Sequence, residues 1–259
     1  MVNAIFIDKS FSDSGFEHTF AHELFHYLSS DAEMTFNNNG AEYISGISVG
    51  IYDKDDNVIS EESRGLNEGI TELLAIKQTG THDGEYNIAV KIADILMGRN
   101  SQAIINAYFS RDKEQVKKFY EDFEKRQTTI SSKQLKSIPD SCNYFTLDIN
   151  LIKGCLEYSL SYCKTIEELE AERKRLLPIF KEMRDDFNID YSEENFDIKD
   201  LFVSVIKEKR ECIQTKSTQD LGRETMDIQT ETPYIDDTQE GIQRDQNIIE
   251  NKNKDAQQL

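Results

Sequence analysis

Cysteine is scarce. The 259 residues include four, Cys142, Cys155, Cys163 and Cys212. None forms a C-x-x-C pair, which excludes the usual thiolate cage of a structural zinc site. A chain this long with so few cysteines is not a disulfide scaffold, and free thiols in a reducing compartment are the expectation. Positive charge is also short: 30 Lys and Arg against 49 Asp and Glu leave a formal net charge of −19. Such a balance argues against a nucleic-acid-binding surface and against docking on anionic membranes. It is compatible with a cationic partner but mostly reports solubility. Long hydrophobic runs are missing too. The apolar stretch Ala4-Ile5-Phe6-Ile7 is too short for a signal h-region or a membrane span, so a cytoplasmic protein is expected. No fixed-period repeat is present.

What is there reads as a short strand at Ile5–Ile7, a turn at Ser10–Gly15, and a helix over about Gly15–Ser29. Ser14 followed by Glu17 fits a capping box at its start. Asn37–Gly40 reads as a loop. Ile44–Tyr52 alternates like a strand, and Asp53–Asn57 is a polar turn into Val58–Ile59, together a hairpin. Helices follow at about Leu66–Thr79, Tyr86–Met97, Ser101–Tyr108 and Arg111–Arg126, with a break at Gly80–Gly84. Thr128–Ser141 is polar and reads as a linker or loop. Helical patterns return at about Leu147–Cys163, Thr165–Asn188 and Ile198–Gln214. From about Thr215 the chain has too few apolar residues to offset its ordering entropy, and disorder is expected. The expected organisation is a domain over 1–127, a helical subdomain over 142–214 and a polar tail over 215–259.

Within the first of those helices stands His22-Glu23-Leu24-Phe25-His26, an H-E-x-x-H segment. Residues four apart share a helix face, so both imidazoles can reach one metal ion. Glu23 lies beside His22, able to act on a water at the ion without being a ligand. A catalytic Zn²⁺ takes three protein ligands and keeps one position open. The third candidate lies in Leu66-Asn67-Glu68-Gly69-Ile70-Thr71-Glu72. Glu68 and Glu72 also share a face, where two carboxylates repel unless positive charge lies nearby. Glu68 is the expected ligand. Glu72 is placed to accept the free N–H of one ligating histidine, and Asn67 that of the other, bonds that fix tautomer and orientation. His18 stands one turn before His22 but about 12 Å along the helix from His26, too far for both to hold one ion. It is expected to face solvent.

H-E-x-x-H followed by a helix bearing N-E-x-x-x-[DE] resembles the gluzincin class of zinc metallopeptidases. The Leu66-Asn67-Glu68-Gly69 stretch resembles the form that segment takes in M1-type aminopeptidases and related small bacterial peptidases. The likeness covers about Phe16 to Leu74. It implies one Zn²⁺ held by His22, His26 and Glu68, with Glu23 as general base and proton shuttle, and Asn67 and Glu72 behind the ligands. It also implies a Tyr or His that stabilises the oxyanion. Tyr86, His82 and Tyr108 are the candidates, with Tyr86 preferred because it opens the helix after that of Glu68. The spacing from His26 to Glu68 exceeds that of compact members, and the hairpin at about 44–60 accounts for the excess. Members of the class usually place several strands before the metal helix, whereas here Ile5–Ile7 alone precedes it.

Three functional classes compete on these residues. The leading one is a cytoplasmic zinc peptidase, by preference an endopeptidase, because no G-x-M-E-N-like anchor for a substrate amine lies upstream. Its partner is a peptide or protein substrate. The second is a zinc-bound but non-catalytic helical protein that binds a protein partner through its C-terminal helices. The third is a regulatory metallopeptidase that cleaves one protein. The expected fold is α+β and mostly α-helical: a zincin-like two-helix metal site with a short strand and hairpin, then a helical subdomain.

Overall fold

The computed structural model describes residues 13–31, 35–37, 40–55, 57–82, 86–138, 147–186, 189–190 and 198–230. The strand expected at Ile5–Ile7 lies outside them. The fold is α+β and mostly helical, as the sequence predicts. It opens with helix α1 (Asp13–Ser29). Because α1 already begins at Asp13, Ser14 sits inside its first turn rather than at the predicted N-cap.

An antiparallel meander follows, built from β1 (Thr35–Asn37), β2 (Gly40–Ser45), β3 (Ser48–Tyr52) and β4 (Val58–Glu62) in that order. The single strand predicted for Ile44–Tyr52 is two strands. Gly46 turns the chain at φ +58°, and Ile44 then pairs with Val49 across the hairpin. Alternation of Ile47, Val49 and Ile51 hid this break, since the fully buried Ile47 belongs to the turn and not to a strand face. A side chain at 46 is also sterically barred, because a Cβ there would lie 2.1 Å from the Asn67 Oδ1. The second hairpin forms as expected. Asp53 closes its turn by accepting from the Asp55 and Asn57 amides at 2.8 and 2.9 Å.

Helix α2 (Arg64–Thr79) leaves β4 through Ser63, whose hydroxyl accepts from Tyr120 at 2.6 Å. Gly80 ends it at φ +74°, its amide donating to the Ile76 carbonyl at 2.8 Å, an αL cap that glycine adopts without strain. Helices α3 (Asn87–Leu96), α4 (Ser101–Phe109) and α5 (Lys113–Arg126) lie close to their predicted spans. The segment predicted as a linker instead carries α6 (Ser132–Lys136), with a Ser131–Gln134 capping box. Its apolar residues Ile130, Leu135 and Ile138 are spaced too irregularly to read as a helix, yet all three enter the core.

Two-residue β5 (Leu147–Asp148) runs parallel to β6 (Ile189–Asp190), flanking α7 (Ile149–Ser161) and α8 (Ile166–Asp186). Helix α9 (Ile198–Thr230) ends the described chain. Its last residues fall within the polar tail expected from about Thr215. Contacts divide the chain into Met1–Ile213 and Gln214–Leu259, the latter described by the end of α9 alone. One core cluster draws residues from both the expected 1–127 domain and the expected 142–214 subdomain. Arg175 of α8 is one of its fasteners. It donates to the Asp94 and Ile95 carbonyls at the end of α3, at 2.8 and 3.2 Å, and to Glu172 at 2.7 Å. Glu172 in turn accepts from Ser159 of α7 at 2.8 Å.

Cys155, Cys163 and Cys212 are free thiols, and Cys142 lies outside the described residues. Among the described residues no helix is long and apolar enough to cross a membrane.

Helices α2 and α3 pack to backbone contact at Gly69. A Cβ there would lie 2.4 Å from both the carbonyl carbon and the oxygen of Ala89. Because the clash is with backbone, no rotamer change relieves it. Gly69→Ala is expected to cost about 1–3 kcal/mol, as overpacking does, and to lower the urea midpoint without changing the slope.

Candidate metal centre

Three histidines at successive turns of α1 face two glutamates at successive turns of α2. The helices run antiparallel, so the side chains interleave in one row: His18, Glu72, His22, Glu68, His26. Along it the contacts are His18 Nε2 to Glu72 Oε1 at 2.8 Å, Glu72 Oε2 to His22 Nδ1 at 2.9 Å, His22 Nε2 to Glu68 Oε2 at 3.3 Å, and Glu68 Oε2 to His26 Nε2 at 2.9 Å. The C-terminal end of α1 is tied down separately. Arg111 donates through Nε and Nη2 to the Leu28 carbonyl at 3.1 and 2.8 Å, and Ser29 and Ser30 donate to the His26 carbonyl. These donors satisfy carbonyls that a helix end leaves unpaired.

The row brings His22, His26 and Glu68 together as a group able to hold a metal ion. His22 Nε2 and His26 Nε2 are 3.1 Å apart, which closes a triangle with the two contacts to Glu68 Oε2. Ligand atoms about 2.0–2.2 Å from a tetrahedral ion stand roughly 3.3 Å from one another. The triangle fits that spacing. The donor set fits as well. Nδ1 of His22 donates to Glu72, which turns Nε2 into the triangle, where a bound ion would take the place of its proton.

The electrostatics of the row favour a cation. Burial alone would raise the Glu68 carboxyl, but hydrogen bonds from His22 and His26 outweigh it and bring the group down to about 2. Burial likewise works against a charged His22, but the bonds to Glu68 and Glu72, with their negative charge, lift it to about 9. Glu72 shifts downward for the same reason, burial opposing and His22, His82 and His18 prevailing. What raises the affinity of His22 for a proton is carboxylate charge in a nearly closed space, and that attraction acts on a metal ion too.

Other expected site residues fall in different places. Asn67 does not face a histidine. Its Oδ1 accepts from the Ile47 amide at 3.0 Å, anchoring the β2–β3 turn to α2. Tyr86 lies against the site, its ring stacked on that of His22 at 5.7 Å between centroids and 15° between planes. It holds φ +57° at the start of α3. Tyr108 is fully buried. Its hydroxyl pairs with Thr71 at 2.6 Å, and burial pushes it up to about 12, so it is a core group beneath the site. His82 reaches Glu72 Oε1 at 3.0 Å and Asn87 at 2.6 Å. Glu23 is half-buried, next to His22 on α1.

His18 departs from the solvent-facing position expected of it. It is 3% exposed, not solvated. Distance rightly excludes it as a third ligand of the same ion, but the same repeat of four that links His22 to His26 puts His18 opposite Glu72. Arg111 has no comparable signal, since its role depends on where α4 and α5 bring it.

Glu68→Ala removes one corner of the triangle and leaves two imidazoles. Elemental mass spectrometry after zinc reconstitution is expected to find near-stoichiometric metal on the wild type and sharply less on the variant.

Compared with known proteins, the chain matches no family model, no curated protein and no solved structure.

Proposed function

We propose that this chain is a zinc-dependent peptidase of gluzincin type, with the ion held by His22, His26 and Glu68. The observation that carries the reading is the convergence of two imidazole Nε2 atoms and one carboxylate oxygen at tetrahedral spacing, on two helices in H-E-x-x-H and N-E-x-x-x-E register. A donor set of two histidines and one glutamate, with no thiolate, matches catalytic rather than structural zinc. When bound, the metal supplies Lewis-acid polarisation of a water and of the scissile carbonyl.

The protein's own groups then have distinct tasks. Glu23 takes a proton from the attacking water and later delivers it to the leaving amine. Glu72 holds the Nδ1 proton of His22, so that Nε2 keeps its lone pair toward the metal. Tyr86, stacked on His22, is the candidate donor to the oxyanion that develops as the carbonyl carbon becomes tetrahedral. An endopeptidase acting on a peptide or protein is the preferred form of the activity, and the reducing cytoplasm the preferred site.

The Glu23 carboxylate is absent from the metal-holding triangle, so its removal separates binding from chemistry. Glu23→Gln is expected to retain zinc while hydrolysis of a fluorogenic casein substrate falls by about 10²–10⁴-fold, the usual scale of a lost general base. Unchanged hydrolysis by zinc-loaded Glu23→Gln would contradict the assignment.

A further inference from the structure

A histidine buried in the contact between two helices is commonly an ordinary core residue whose polar atoms happen to be satisfied. His18 differs in what satisfies it. Its Nε2 meets Oε1 of Glu72 at 2.8 Å, and its Nδ1 meets the Thr79 hydroxyl at 3.1 Å in the last turn of α2. Glu72 is the carboxylate whose other oxygen holds His22. Its Oε1 takes a second imidazole, that of His82, at 3.0 Å. The buried carboxylate is thus held at three points from two chain segments: α1 through His18 and, one turn on, through His22, and the segment after α2 through His82. Burying a carboxylate is costly unless its lone pairs are filled, and here imidazole nitrogens fill them.

We propose that His18 is a positioning residue of the metal centre, acting through Glu72. It fixes the plane of the Glu72 carboxylate, which fixes the tautomer and ring orientation of His22. This goes beyond the ligand assignment and rests on it. His82 grips the same oxygen from a more exposed position, its side chain 32% accessible against 3% for His18. His18 is therefore the firmer of the two holds. Removing it leaves Glu72 free to turn about its remaining contacts, and His22 Nε2 then spends less of its time aimed into the triangle.

The test compares two substitutions that separate packing from hydrogen bonding. His18→Phe fills the space but has no donor. His18→Gln offers an amide N–H in place of Nε2. Zinc dissociation constants are measured on the full chain by chelator competition, beside Glu72→Ala and the His18→Phe/Glu72→Ala double variant. Loss of such outer partners weakens metal binding by about 10–100-fold. His18→Phe is expected to weaken zinc about 10-fold and His18→Gln to recover most of that. The double variant should bind no worse than Glu72→Ala alone, since the effect passes through Glu72. The visible spectrum of the Co²⁺-loaded protein should shift with His18→Phe and stay close to wild type with His18→Gln.

Wild-type affinity in His18→Phe would overturn the proposal. So would a full additional loss in the double variant, which would place the action of His18 elsewhere. Should His18→Phe fail to fold by circular dichroism, His18→Gln decides alone: a large loss of affinity in that folded variant overturns the role. No zinc on the wild type would overturn the metal centre itself, a result visible before any variant is compared.

Discussion

The contact between α1 and α2 is made of alternating imidazoles and carboxylates, and the rest of the molecule is arranged around that row. Two glutamates on one helix face would repel, and the three histidines opposite, His18 and His22 of them buried, would have nothing to bind. Interleaved, each group answers the other's cost of burial. The row is one-dimensional, so each member constrains the next: His18 orients Glu72, Glu72 orients His22, and His22 with Glu68 and His26 frames a position for a cation.

Such a row needs its two helices held at fixed height and distance. The β2–β3 turn wedges Gly46 and Ile47 against Asn67, next to Glu68 in sequence. On the same helix Gly69 lets α3 approach to backbone contact, which brings Tyr86 at the start of α3 over His22. Arg111, strained at φ +54°, reaches back to the last turn of α1. The Asn-Glu-Gly triplet at 67–69 thus divides into three tasks on consecutive residues: turn anchor, metal contact and helix–helix spacing. Farther out, α7 and α8 close the core on α3 through Ile95, Leu96 and the Arg175–Glu172 pair.

Much of this was legible in the chain because helices repeat locally. Periodicity of four placed His22 with His26 and Glu68 with Glu72, and Gly80 marked the end of α2. Two carboxylates on one face call for nearby positive charge, which directs Glu68 and Glu72 toward a metal ion. Other features depend on contacts between distant segments and leave little local trace. The break at Gly46 is masked by alternation that continues through it. Asn67 has an amide oxygen that spacing offers to a histidine, while the β2–β3 turn claims it through the Ile47 amide. The burial of His18 follows from its contact with Glu72, not from its distance to the metal ligands. Helix α6 is short, and its burial comes from the neighbours that Ile130, Leu135 and Ile138 meet.

Three protein atoms sharing one ion are tested most directly by X-ray absorption at the zinc edge of the zinc-loaded chain. Two imidazole nitrogens at about 2.0–2.1 Å and carboxylate or water oxygens at about 2.0–2.2 Å, four-coordinate and without sulfur, is the predicted first shell. A sulfur scatterer at about 2.3 Å would place the ion on a cysteine, and a shell without imidazole would place it on surface carboxylates. Either result would contradict the site.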